Sequence, residues 1–170
     1  MCYRLKVSKM ILFSLLIFVF CIFMFINQWM TVSPGTSSGN GNPALLFIFL
    51  LVPLFIVIVF LWAQLFQAHS VPILYMIIGM FLMIIHLTAG FFYQKQSLDK
   101  YRVVLKNAYM ERNGMVDAQY IQDITTGITI HVNNQYFNVN TFFMFVTSSI
   151  FVAALFYLVE RFENKTKTVR

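Results

Sequence analysis

Four long apolar runs, at 10–30, 44–67, 71–93 and 142–159, set the pattern of this chain. None of them holds an Asp, Glu, Lys or Arg. A helix rises about 1.5 Å per residue, and the hydrocarbon core of a bilayer takes roughly 20 residues, with a tolerance of about 17–25. Lipid offers the backbone no hydrogen bonds, so each run must satisfy itself as a helix. The first run follows a basic start, as a signal peptide does. It exceeds the roughly 7–15 apolar residues of such a peptide and meets no small-residue cleavage site, which predicts an uncleaved span.

The connectors differ sharply. Residues 31–43 are Gly, Ser, Asn and Pro punctuation without charge and read as a flexible link. Residues 68–70 are so few that the second and third spans must form a tight antiparallel hairpin. Only 94–141 is a sizeable polar region. Within it, Ser97 can cap a helix over 97–113, where Leu98, Tyr101, Leu105 and Ala108 recur at spacings of three and four. Asp99, Arg102, Lys106 and Glu111 fall largely opposite. Further on, Ile128, Ile130 and Val132 alternate with Thr129 and His131, which predicts a β-hairpin over 128–139 turning at Asn133 and Asn134. That register pairs Ile130 with Phe137 and Ile128 with Val139 on an inward face. It leaves Thr129, His131, Tyr136 and Asn138 on an outward one.

The expected fold is therefore an all-α integral membrane protein. A four-helix transmembrane bundle carries a small extracytoplasmic α+β loop, an amphipathic helix plus a β-hairpin, between the third and fourth helices. The expected organisation is a basic tail at 1–9, three spans within 10–93, the loop at 94–141, the fourth span at 142–159 and a second basic tail at 160–170.

Composition narrows the class. The chain has 170 residues, 59% hydrophobic and 11% charged, with 20 Phe. Soluble domains hold about 25% charged residues, and one this small could not bury so much apolar surface. A disordered chain would carry far more charge. The net charge of +6 is not read as nucleic-acid binding, because its placement follows the spans. Arg4, Lys6 and Lys9 precede the first span; Arg161, Lys165, Lys167 and Arg170 follow the last. Such residues set topology and hold anionic lipid headgroups. Five more, Lys95, Lys100, Arg102, Lys106 and Arg112, lie in the long loop. The first span, with three cations before it and none in the connector after it, orients the chain with both termini cytoplasmic. A bias toward Phe, Ile, Asn and Lys, and a long loop without cysteine, point to a bacterial cell membrane.

Candidate chemistry is sparse. Cys2 and Cys21 support neither a disulfide framework nor a metal site. No motif of a hydrolase, a metalloprotease or a phosphate loop occurs. No catalytic residue, cofactor or metal is assigned, and the chain is not read as an enzyme. Two sets of residues stand out. His86 lies about 22 Å along the third span, where an ionisable group is a functional candidate, with Asn27, Ser148 and Ser149 at broadly similar depths. A neutral imidazole bonded to a hydroxyl or a carbonyl is the structural alternative. Thr129, His131, Tyr136 and Asn138 form the second set, a candidate interaction surface on the loop. Two functions follow. One is a small membrane protein acting by interaction, as an accessory subunit, a sensor or an immunity-type protein, with a protein partner. The other is a small homo-oligomeric transporter or channel built on the third-span stripe of Gly79, His86 and Gly90. Pro53 kinks the second span, Ser149 and Ala153 permit close helix packing, and Trp29, Trp62 and Tyr93 act as interfacial anchors.

Overall fold

The computed structural model describes residues 2–36, 38 and 41–169, with side chains described for 5–36, 38 and 41–164. The side chains of Cys2, Arg4, Lys165 and Lys167, and the whole of Arg170, therefore lie outside the described residues. Among the described residues six α-helices follow in order: α1 (Cys2–Trp29), α2 (Ala44–His69), α3 (Ile73–Asn113), α4 (Ala118–Ile124), α5 (Asn133–Tyr136) and α6 (Val139–Val169). A single 3-10 turn spans Ile130–Val132. Four helices, α1, α2, α3 and α6, are long and apolar enough to cross a membrane. Their outer faces display Phe13, Phe49, Phe60, Phe81, Phe92 and Phe156 at 61% to 75% exposure. Surface of that kind is stable against lipid and not against water. The protein is a multi-pass membrane protein.

The chain divides into two compact units. The first comprises Met1–Val19, Leu51–Ala89 and Phe143–Arg170. Its core joins Met76, Ala154 and Tyr157, with Phe66, Val71, Met80, Met83 and Leu158 packed around them. Ala153 and Ala154 are wholly buried, so small side chains let the backbone approach closely. The α2–α3 turn passes through Ser70 at φ 47°. It is held from α6: the Arg161 Nη1 donates to the Val71 carbonyl at 2.6 Å, and the Tyr157 hydroxyl donates to the same oxygen at 3.1 Å. The Arg161 guanidinium also lies over the Tyr157 ring, 5.8 Å from its centre.

The second unit comprises Phe20–Leu50 and Gly90–Phe142. It corrects the expected loop architecture in two ways. The helix expected over 97–113 is not separate. α3 runs unbroken for 41 residues, about 62 Å at about 1.5 Å per residue, against a hydrocarbon core of about 30 Å. The pattern turns polar after Tyr93, but polarity is not a break signal. No Gly or Pro lies between Phe91 and Asn113, and Gln94, Lys95 and Gln96 are good helix formers. Ser97, expected as a cap, instead donates its hydroxyl to the Gln135 Oε1 at 2.9 Å. The helix stops where Gly114 takes φ 74° and its N–H closes on the Met110 carbonyl at 2.9 Å.

The β-hairpin over 128–139 does not form; the described residues contain no strand. Asn133 takes right-handed helical angles, φ −55° and ψ −41°, rather than a turn conformation, and opens α5. Ile128 and Val139, expected inward, are 49% exposed, while His131, expected outward, is 5% exposed. In place of a second strand, the Val132 N–H closes on the Thr129 carbonyl at 3.2 Å to make the 3-10 turn, and the Asn42 side chain takes the Ile128 carbonyl.

Candidate functional site

The polar segment before α6 is built from amides. The Asn27 Nδ2, on α1, donates to the carbonyls of Asn134 at 3.1 Å and Phe137 at 2.6 Å. The Asn42 Nδ2 donates to the Ile128 carbonyl at 3.2 Å. The Gln94 Nε2, on α3, and the Asn138 Nδ2 both donate to the Gln135 carbonyl. Four carbonyls between Ile128 and Phe137 thus find donors without any strand ladder. Unpaired carbonyls would cost free energy comparable to lost hydrogen bonds, most severely beside lipid.

Two elements lock this arrangement. Asn42 and Asn133 form a reciprocal amide pair: each Nδ2 donates to the other's Oδ1, at 2.8 and 2.9 Å. Asn133 is wholly buried and spends its second N–H on the Met30 carbonyl at 2.5 Å, while the Asn42 Oδ1 also accepts from the Ala44 N–H at the start of α2. At the start of α6, Asn138 and Thr141 cap reciprocally. The Asn138 N–H donates to the Thr141 Oγ1 at 3.0 Å, and the Thr141 N–H donates to the Asn138 Oδ1 at 3.1 Å.

The first connector is not a free link at its described residues. Residues 37, 39 and 40 lie outside them, but Gly35 and Thr36 dock on α3. The Tyr109 hydroxyl donates to the Thr36 carbonyl at 2.7 Å, and the Arg112 Nη1 donates to the Gly35 carbonyl at 3.1 Å. Tyr109 spends its only proton there, so the Tyr120 hydroxyl, 3.3 Å away, donates to the Tyr109 oxygen. The two rings meet edge to face, with centres 5.3 Å apart. Leu105, Tyr109 and Ile121 form the core beneath, flanked by Tyr101, Val116 and Ile124. Asp117 caps α4 through its carboxylate, which accepts from the Gln119 N–H at 2.8 Å.

The residues singled out from the sequence fall as follows. Among the loop residues, Thr129 is half-buried and donates its hydroxyl to the Ile124 carbonyl, Tyr136 and Asn138 are half-buried, and His131 is buried. They present no common outward face. Among the intramembrane residues, His86 is exposed and its Nδ1 lies 3.0 Å from the Thr147 Oγ1. Ser149 turns its hydroxyl back to the Val146 carbonyl at 2.7 Å, Ser148 is half-buried, and Asn27 serves the amide network. Sequence reasoning missed Asn42, Asn133 and Gln94 as a structural set. The available signal was the density of amides at 133–140 together with lone amides at the polar ends of the spans. Among the described residues, no three His, Cys, Asp or Glu side chains gather in a metal-binding group.

His131 gives this region a pH dependence. Its Nδ1 has no partner among the described residues, and burial alone pushes its pKa below the ordinary 6.5. The unfolded cap then binds more protons than the folded one between that lowered value and 6.5. Stability is fully present above 6.5 and is lost as pH falls through this window. Corrected for the intrinsic pH dependence of amide exchange, protection over 128–138 should fall between pH 7.5 and 5.5. His131→Leu should flatten that pH dependence; an unchanged slope would assign it to other groups.

No protein-family model, no curated protein and no solved structure matches this chain.

Proposed function

We propose that this chain is a non-enzymatic protein of a bacterial cell membrane, with both termini cytoplasmic, that acts by binding a protein partner through the region between its third and fourth spans. The supporting observation is the outer face of the α3 extension. Past Tyr93, one side of this helix buries Leu105 and Tyr109. The other side displays Val103, Val104 and Met110 at 57%, 51% and 50% exposure. Val103 and Met110 are seven residues apart, two turns along one face. Single exposed apolar residues are ordinary, but three within two turns of a helix that has left the membrane, with the exposed Lys106 and Asn107 between them, form a mixed apolar and polar face of the kind partners cover. The amide-held segment and the docked connector stiffen the base of that helix, which limits the ordering cost of binding. The orientation rests on the seven cytoplasmic cations and on the first span.

One experiment tests partner and orientation together. Whole cells expressing the protein are treated with a membrane-impermeant amine cross-linker, which reaches the exposed Lys100 and Lys106 only if the loop is outside. The expected result is one stoichiometric adduct with a different protein, abolished by the pair Val103→Asp and Met110→Asp while the protein still accumulates. Labelling only after the cells are broken would invert the orientation. A homo-oligomer as the sole product, conducting or transporting in liposomes, would favour the transporter built around His86.

A further inference from the structure

We propose that the second unit carries a phospholipid site, selective for an anionic headgroup, in the groove lined by Phe91, Gln94, Lys95, Leu98, Gln135 and Tyr136. This groove encloses about 240 Å³ and opens just past the last apolar turn of the third span.

The chemistry of its walls selects the occupant. Its two amides are already engaged. The Gln94 Nε2 donates to the Gln135 carbonyl, and its Oε1 accepts from Asn138 at 3.2 Å and Asn140 at 3.3 Å. The Gln135 Oε1 accepts from Ser97 at 2.9 Å, and its Nε2 reaches the Asn134 Oδ1 at 3.4 Å. Phe91, Leu98 and Tyr136 supply an apolar floor. A small polar solute therefore gains little here, and an apolar chain gains by leaving water.

Position and charge complete the argument. Phe91, Phe92 and Tyr93 are 61–63% exposed at the end of the apolar run, as in an interfacial aromatic belt. Lys95 stands at the groove as an exposed cation two residues past that belt. No carboxylate lines the groove, and the nearest on α3, Asp99, is committed to Arg102 at 3.0 Å. A phosphodiester held by Lys95, with the upper part of its acyl chain along Phe91, Leu98 and Tyr136, suits this lining. A headgroup that carries its own ammonium brings a second cation towards Lys95, so a net anionic lipid binds better. This reading holds for either orientation of the chain and does not depend on the proposed partner.

The test uses the full chain in detergent, mixed with phosphatidylglycerol or phosphatidylcholine, and native mass spectrometry to count retained lipids. One phosphatidylglycerol should be retained in preference to phosphatidylcholine. Lys95→Gln should lower its occupancy about fivefold, the worth of one lysine at an anionic membrane surface, and leave phosphatidylcholine unchanged. Leu98→Trp, which fills the groove, should abolish retention of both. Lys100→Gln, an exposed cation outside the groove, should change nothing. Equal retention of the two lipids by the wild type, or full retention by Lys95→Gln and Leu98→Trp, would overturn the site. So would a second protein chain lost on Leu98→Trp while lipid binding persists. Lys95 is exposed and makes no ion pair among the described residues, so its variant folds and keeps the test decisive.

Discussion

Replacing Asn133 by Ala should free the segment before α6. The substitution removes three hydrogen bonds: both bonds of the reciprocal pair with Asn42, and the bond to the Met30 carbonyl. Each is worth about 1 kcal/mol net, and an acceptor left buried costs more than the mean. Asn42 keeps the Ile128 carbonyl and the Ala44 N–H, so most of the orphaning falls on Met30. The expected loss is about 3 kcal/mol, or about a hundredfold in the local opening constant, read as faster proteolysis within 128–138. Asn133→Asp should be worse than Ala, although it is nearly isosteric. Its carboxylate would sit wholly buried against two acceptors, the Asn42 Oδ1 and the Met30 carbonyl, with one donor left to answer it. Asn107→Ala, on the exposed side of α3, is the control and should cleave as the wild type does. Equal cleavage of Asn133→Ala and wild type would show that the pair does not hold the segment.

Gly35→Ala should detach the first connector from α3. Gly35 takes φ 81°, where an L side chain costs about 1–2 kcal/mol. A Cβ there would also meet the Ala108 carbonyl oxygen at 3.1 Å and its carbon at 3.3 Å. Those atoms belong to the backbone of a long helix and cannot yield as a flexible side chain would. Together the two effects amount to about 2 kcal/mol, or about thirtyfold faster hydrogen exchange over 31–36. Tyr109→Phe should give a smaller change, about 1 kcal/mol, because it removes the donor to Thr36 and leaves Arg112 on the Gly35 carbonyl, while the exposed Tyr120 hydroxyl exchanges its long bond to Tyr109 for water. Gly41→Ala discriminates strain from mere loss of a glycine. A Cβ at Gly41 meets nothing within 4 Å, so that variant should exchange as the wild type does. If Gly35→Ala and Gly41→Ala behave alike, the connector is not pinned through Gly35.

The amino-acid order alone determined the membrane class and the four spans. Each rests on local physics: an apolar run of sufficient length, free of charge, can only be a helix in lipid. The segment around Ile128, Ile130 and Val132 was not decided locally. Period-two alternation fits a strand only if a second strand supplies its hydrogen bonds; here Asn42 takes the Ile128 carbonyl 86 residues away, and Asn27 and Gln94 take the Asn134 and Gln135 carbonyls just beyond, 107 and 41 residues away. No periodicity announces such pairings, because each amide sits singly in its own stretch of chain. The same holds for the first connector, whose glycine and serine content reads as a free link until Tyr109 and Arg112 of α3 take its carbonyls. Past Tyr93, the change from apolar to polar residues marked where α3 ceases to be apolar. Whether the helix continued was settled by the absence of any breaker before Gly114, and by Ser97 turning its hydroxyl to Gln135 instead of capping a new helix. Burial in lipid is a property of a run of residues and is legible in one dimension. The pairing of isolated polar groups is a property of three-dimensional neighbours, and only the tertiary structure chose them.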